Sequence, residues 1–214
     1  MRSSISDAAV LSGGSSPTGT ITFNAFGPNN VTCTGTPVFT SVVSVAGNGT
    51  YTSGSFTPTQ TGTYNFVASY GGDLNNLATT DACGAANESV IVVQATTTTA
   101  LSTACETTFV ENQPFTLVAT VTGVNPSGTV TFSNLSNVLC ASISLTAGSA
   151  SCITSTLATS GSDTQDQYPL PASYSGDANN LTSTSSPLNV NVLSAGDVIF
   201  RNGYETESAS CPIE

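Results

Sequence analysis

Two aspartates sit in equivalent settings. Asp73 lies in Gly71-Gly72-Asp73-Leu74-Asn75-Asn76, and Asp177 in Ser175-Gly176-Asp177-Ala178-Asn179-Asn180. A carboxylate beside Asn amides and turn carbonyls is the kind of ligand set a hard cation such as Ca²⁺ takes. That cation wants roughly six to eight oxygens and each turn offers one carboxylate, so Asp73 and Asp177 are weak metal candidates. Asx side chains that close their own turns explain the same residues. A second pair, Asp163 and Asp166 in the segment 160–167, could in principle do acid–base work, but that segment reads as a solvated loop between strands. With no His and no Lys in the sequence, no Ser or Cys nucleophile has its usual base. The expectation is a protein that is not an enzyme and holds no cofactor.

The elements that must position these turns come in two sets. Pro17-Thr-Gly-Thr-Ile-Thr-Phe23 with Tyr70–Asn76 recurs as Pro126-Ser-Gly-Thr-Val-Thr-Phe132 with Tyr174–Asn180. An internal repeat of that size means two copies of one domain. Apolar residues alternate with Ser and Thr in short runs divided by Gly, Pro and Asn, and no helical period of useful length occurs. Strands are expected at 20–25, 38–45, 50–57, 63–70 and 88–93, then at 115–122, 129–134, 139–146, 149–157, 167–174 and 188–193. In the strand at 63–70, Tyr64, Phe66, Ala68 and Tyr70 face one way, and Asn65, Val67 and Ser69 the other. The fold class is all-β: two tandem immunoglobulin-like Greek-key sandwiches, the first lacking its opening strand. The domains fall at 1–95, 96–194 and a tail, 195–214, fastened to the second. The Thr tract Thr96–Thr99 reads as the first strand of domain 2, and domain 1 has no counterpart to it. That leaves an open edge beside Asp7, Ala8, Ala9, Val10, Leu11 and Ser12. An unpaired edge over a buried core invites strand donation, and Val198, Ile199, Phe200 and Tyr204 of the tail are a candidate donor.

Six cysteines without a Cys-x-x-Cys spacing point to disulfides and to a compartment outside the reducing cytosol. Cys33 and Cys83 are the two in domain 1 and pair by elimination. Cys140 and Cys152 flank Ala147-Gly148 as a hairpin would, which leaves Cys105 with Cys211 to fasten the tail. The start, Met1–Asp7, has no apolar signal core, so an exported chain is expected to be part of a longer one.

Thirteen acidic residues face only Arg2 and Arg201, a net charge of −11. Such a chain cannot neutralise phosphates, which excludes nucleic acid as a partner, and it is not drawn to anionic lipid. No apolar run reaches the roughly eighteen residues of a membrane span, so no membrane insertion is expected. Without Trp a sugar-stacking platform is poorly supplied, Tyr51, Phe56 and Tyr204 being the aromatic exceptions to inward parity. Asn30, Asn48, Asn87, Asn134 and Asn180 each begin an Asn-x-Ser/Thr sequon, read here as turn and strand-edge polarity.

The two motif pairs resemble those of the bacterial immunoglobulin-like domain repeat family, whose pattern is Pro-x-Gly-Thr-Val-Thr-Phe followed by Tyr-x-Gly-Asp-x-Asn. The likeness spans about residues 5–194. It implies an extracellular or cell-surface protein whose domains form stalks or adhesive arms, sometimes appended to enzymes. The segment 196–205 is similar to one found at the C-termini of some secreted proteobacterial proteins. The expected function is a structural or adhesive module. The alternatives are a filament subunit that polymerises by strand donation into domain 1, and a glycan-binding module. Expected partners are copies of the chain itself or a cell-surface or matrix component.

Overall fold

A computed structural model describes residues 3–104, 106–134, 137–160 and 165–195. Every regular element among them is a strand, and the chain divides into two units, Met1–Gln94 and Ala95–Glu214. The first holds β1 (Ala8–Leu11), β2 (Thr20–Phe26), β3 (Phe39–Ser44), β4 (Gly49–Thr52), β5 (Gly62–Tyr70), β6 (Thr79–Thr80) and β7 (Ser89–Val92). The second begins with β8 (Thr98–Thr103), β9 (Thr108–Val110), β10 (Phe115–Thr122), β11 (Thr129–Ser133) and β12 (Val138–Ser144). It continues with β13 (Ser149–Thr154), β14 (Gln165–Leu170), β15 (Ala172–Tyr174), β16 (Ser183–Thr184) and β17 (Leu188–Leu193).

In the second unit one sheet runs β13-β10-β8. Facing strands run β12-β11-β15-β16 and β14-β17-β9, with β9 parallel to β17. The alternation read from sequence becomes burial. Phe115, Leu117, Ala119 and Val121 of β10 pack on Val130 and Phe132 of β11, and on Leu170, Ala172, Tyr174, Val190 and Val192. Period-two patterning of this sort is what a half-buried strand requires. Pro171 separates β14 from β15, and there the chain changes partners: β14 pairs β17, whereas β15 pairs β11 and β16. A residue without an N–H can sit where one ladder stops and another starts.

The first unit repeats this plan with pieces absent. One sheet runs β3-β2-β5-β6 with β7 also on β5, and β1 pairs only β4. β1, β2, β3 and β4 match β10, β11, β12 and β13; β5, β6 and β7 match β14 with β15, β16 and β17. Among the described residues, nothing in the first unit corresponds to β8 or β9.

Three expectations need correction. Asn65 does not face solvent: it is buried, donating from Nδ2 to Asn30 O and accepting from Ser89 Oγ, and these partners supply what water would have. The strand expected over 50–57 ends at Thr52; beyond it Ser53 N donates to Asp7 O, an isolated Ile5–Phe56 bridge forms, and the Phe56 ring stacks on Phe39. The hairpin expected around Ala147-Gly148 is limited to a Thr146–Ser149 bridge, because β12 and β13 diverge into different sheets. Cys140 and Cys152 are bonded, and the disulfide therefore joins the two sheets rather than two neighbours in one. Cys33 and Cys83 are bonded as well, linking the loop after β2 to the loop after β6 across 50 residues of chain. The two-residue strands β6 and β16 are too short to leave a periodic signal.

Candidate functional site

The two motifs of each repeat, some fifty residues apart in sequence, meet in space. Asp73 Oδ2 accepts from Thr18 N at 2.6 Å, Thr18 Oγ1 at 3.0 Å and Tyr70 Oη at 3.1 Å. Its Oδ1 accepts from Asn75 N, Asn76 N and Asn76 Nδ2, each at 2.8 Å. In the second copy Asp177 Oδ2 accepts from Ser127 N at 2.7 Å, Ser127 Oγ at 3.0 Å and Tyr174 Oη at 2.9 Å, while Asn179 N reaches Oδ1 at 2.7 Å. Asn180, fully buried, donates from Nδ2 to the Asp177 carboxylate and to Val124 O, and its Oδ1 accepts from Val124 N. Each carboxylate thus clamps the Pro-x-Gly turn to the end of β5 or β15. The glycine of that turn is dictated by space and by backbone: Gly128 has φ 90°, and a Cβ there would lie 2.7 Å from Gly176 O.

Electrostatics follow from the donors. The Thr18 and Asn75 amides hold Asp73 well below the usual carboxylate range. Burial alone would raise Asp177, but the Ser127 and Asn179 amides and the Asn180 and Tyr174 side chains outweigh it and leave its carboxyl depressed. Burial, together with the adjacent carboxylate, pushes the Tyr174 phenol up to about 12. A hard cation at either aspartate would have to displace this ring of donors. Among the described residues, no three carboxylate, Cys or His side chains converge in a metal-binding group.

A different site opens where the first unit departs from the second. In the second unit β8 lies along β10, with Thr99, Leu101 and Thr103 opposite Val121, Ala119 and Leu117. Thr97 and Thr99 also hydrogen-bond Ser183 of β16. The same place in the first unit is a shallow groove lined by Ala9, Leu11, Ile21, Ala68, Tyr70 and Thr79, with Asp81 at its rim. Ala9 and Leu11 are half-buried there, whereas Ala119 and Val121 under β8 are buried.

Three positions around this slot change chemistry between the copies. Asp7 continues the inward parity of Ala9 and Leu11, as Leu117 continues that of Ala119 and Val121. Glu88 accepts from Phe66 N through its carbonyl, at the position where Leu188 pairs Leu170. Asp81 donates its N–H to Ala68 O as Ser185 does to Ala172 O. Leucine, leucine and serine are thereby replaced by three acids. Asp7 Oδ2 and Glu88 Oε2 are both buried and neither meets an N–H or hydroxyl donor. Burial, then the charges of Asp7 and Asp81, push Glu88 up to about 7, and burial likewise raises Asp7. The two carboxyls lie close enough for each to bear on the ionisation of the other. Inward parity along their strands is the sequence signal for Asp7 and Glu88, and the pattern of a single strand does not say that the chain will cover an acid placed there.

The remaining sequence candidates fall elsewhere. Asp166 accepts from Ser160 N. Tyr51 Oη accepts from Ala46 N and donates to Gly47 O, closing its own turn. Ala8, Val10 and Ser12 share the β1 segment with the groove residues, with Val10 turned outward at 72% exposure. Asp163, Cys105, Cys211, Val198, Ile199, Phe200 and Tyr204 lie outside the described residues. A larger open depression, about 520 Å³, runs past Val121, Gly123, Pro126 and Gly148 and has no titratable group in its lining.

Sandwich layers, the Pro-x-Gly turn and the aspartate clamp together mark the second unit. It matches a bacterial Ig-like domain. The match is to the family model of the bacterial Ig-like domain (group 3) over residues 101–193. Among solved structures, the fibronectin(III)-like modules of Clostridium thermocellum CbhA are similar at 16% identity and TM-score 0.35, over 89% of this chain and 85% of theirs. An ICAM-5 D1–D4 ectodomain fragment is similar at 10% identity and TM-score 0.44, over 90% of this chain and 50% of its own length. At these scores neither likeness bears on function. No curated protein matches the chain.

Both carboxyl sites give pH signatures of opposite sign. Asp177 has a depressed folded pKa, so its contribution exists above the ordinary value of 3.8 and is lost as pH falls below it. Asp177→Asn is expected to destabilise the protein at pH 7, by about 1–3 kcal/mol for donors left unmatched. The gap from wild type should close in acid, as followed by urea unfolding at a series of pH values. Glu88 has a raised folded pKa, so its contribution is complete below 4.5 and disappears as pH rises through about 7. Glu88→Gln should flatten the pH dependence of the melting temperature in that window; an unchanged slope would show that the acid pair is not formed.

Proposed function

We propose that the chain is a non-catalytic structural or adhesive module of a bacterial protein that works outside the cytosol. Ig-like domains of this bacterial family suggest a structural module, and they are in general non-catalytic. The observation that carries the reading is the duplicated carboxylate clamp. In each unit a carboxylate held in its charged form by five or more donors is committed to tying a turn to a strand end, a task of mechanical integrity. Disulfides support the same reading: Cys33–Cys83 and Cys140–Cys152 each tie loops or sheets together, a constraint worth roughly 2–4 kcal/mol apiece. Oxidised cysteines also fit an extracellular or surface setting.

A second reading, a subunit that accepts a strand into its first domain, is favoured by the groove beside β1. In the second unit the equivalent place is filled by β8, and an edge that pairs on one side only is a template for another strand. Contacts of that kind between copies are head-to-tail and make open chains.

The two readings call for separate measurements. For a structural module, thermolysin should leave the oxidised full-length chain largely intact while cutting the reduced chain at least tenfold faster. Equal rates would remove the bracing role of the disulfides. For strand acceptance between copies, sedimentation velocity should show species larger than one chain whose share grows with concentration. A single monomeric boundary across the range would discard assembly.

A further inference from the structure

The groove of the first unit differs from the slot of the second in one respect that bears on what could fill it. At the end where β8 would place Thr103, the neutral side chains Leu117, Ser185 and Leu188 of the second unit are replaced by Asp7, Asp81 and Glu88. Two of their oxygens, Asp7 Oδ2 and Glu88 Oε2, are buried without donors. A neutral strand laid into the groove would cover these carboxyls further and leave them unmatched, which costs free energy. A strand with a cationic side chain at that position would supply the missing donors. We propose that the groove beside β1 receives the segment Asp197–Tyr204 of a second copy as an extended strand antiparallel to β1, with Arg201 placed against Asp7 and Glu88. This names the occupant of the strand-accepting reading given above and rests on it.

Charge and register select this segment. Arg201 and Arg2 are the only cationic side chains of a chain with net charge −11, so a cationic strand from the chain itself has few sources. The register of β8 on β10 puts Leu101 opposite Ala119 and Thr103 opposite Leu117. Transferred to the first unit, a strand residue facing Ala9 is followed two positions later by one facing Asp7. With Arg201 set opposite Asp7, Ile199 falls opposite Ala9, an aliphatic residue where β8 has leucine. Asp197 then takes the polar position of Thr99, beside the Thr79 end of the groove.

The test uses ¹⁵N-labelled full-length protein titrated with synthetic peptides and followed by amide chemical shifts. The peptide of sequence Asp197–Tyr204 should shift amides of Ala8–Leu11 and Thr79–Asp81. Its Arg201→Glu form should bind at least tenfold more weakly. The Asp7→Asn/Glu88→Gln protein should no longer distinguish the two peptides. A third peptide, Thr97–Thr103 carrying Thr103→Lys, is the control for a cationic strand of other origin. If the two tail peptides bind equally, the pairing of Arg201 with the acids is overturned while strand acceptance stands. If only the control peptide binds, the tail is not the occupant. If no peptide moves the β1 amides, the proposal falls together with the strand-accepting reading.

Discussion

The fold depends on one hydrogen-bonded hub used twice. An aspartate at the end of a core strand gathers the amide and hydroxyl of a residue in a distant Pro-x-Gly turn, the phenol of the tyrosine that ends the strand, and the amides of its own turn. Such charge-assisted bonds are stronger than neutral ones, and they act where a sandwich is otherwise weakest, at the ends where strands leave the sheet. Tyr70 and Tyr174 carry that effect inward, because each ring is core and each hydroxyl belongs to the hub. The glycine with positive φ in the Pro-x-Gly turn and the Asn at the end of the Asp turn, half-buried as Asn76 and buried as Asn180, then follow as geometric requirements of one joint.

Much of this architecture was legible because strand alternation has a short period and because the repeat doubles every signal. Phe115–Thr122 and Leu188–Leu193 appear in the structure with the bounds that alternation gives them. What could not be read was the meeting of the two motifs. A turn and a strand end fifty residues apart each carry local turn chemistry, and nothing in either says that the carboxylate of one serves the amide of the other. The same limit governs Asn65, whose alternation places it outward although a loop folds over it and supplies Asn30 O. It also governs Cys140 and Cys152, where symmetry about a turn suggested a hairpin and the chain instead passes between sheets. Local pattern fixes the direction of a side chain relative to its strand, but not what the rest of the chain brings to that face.

The two copies also diverge instructively. Where the cores are equivalent, the two copies keep the same residue, as at Phe23 and Phe132, Tyr70 and Tyr174, Ala68 and Ala172, or exchange one apolar residue for another, as at Ile21 and Val130. Around the position of β8 they do not, and two apolar contacts and a serine hydroxyl give way to acids. The exchange of neutral side chains for acids sits at the one place where the second unit has a strand, β8, that the described residues of the first unit lack.

Carboxylates turned inward along an open sheet edge have a consequence for life in solution. A bare edge over apolar side chains sticks indiscriminately to whatever extended chain it meets, including its own kind during folding. Acids at the mouth of that edge repel the acidic majority of a chain such as this one and make an uncharged intruder bury unmatched oxygens. The Asp7–Glu88 pair therefore makes the open edge of the first domain costly for uncharged and acidic strands alike, which limits indiscriminate pairing there.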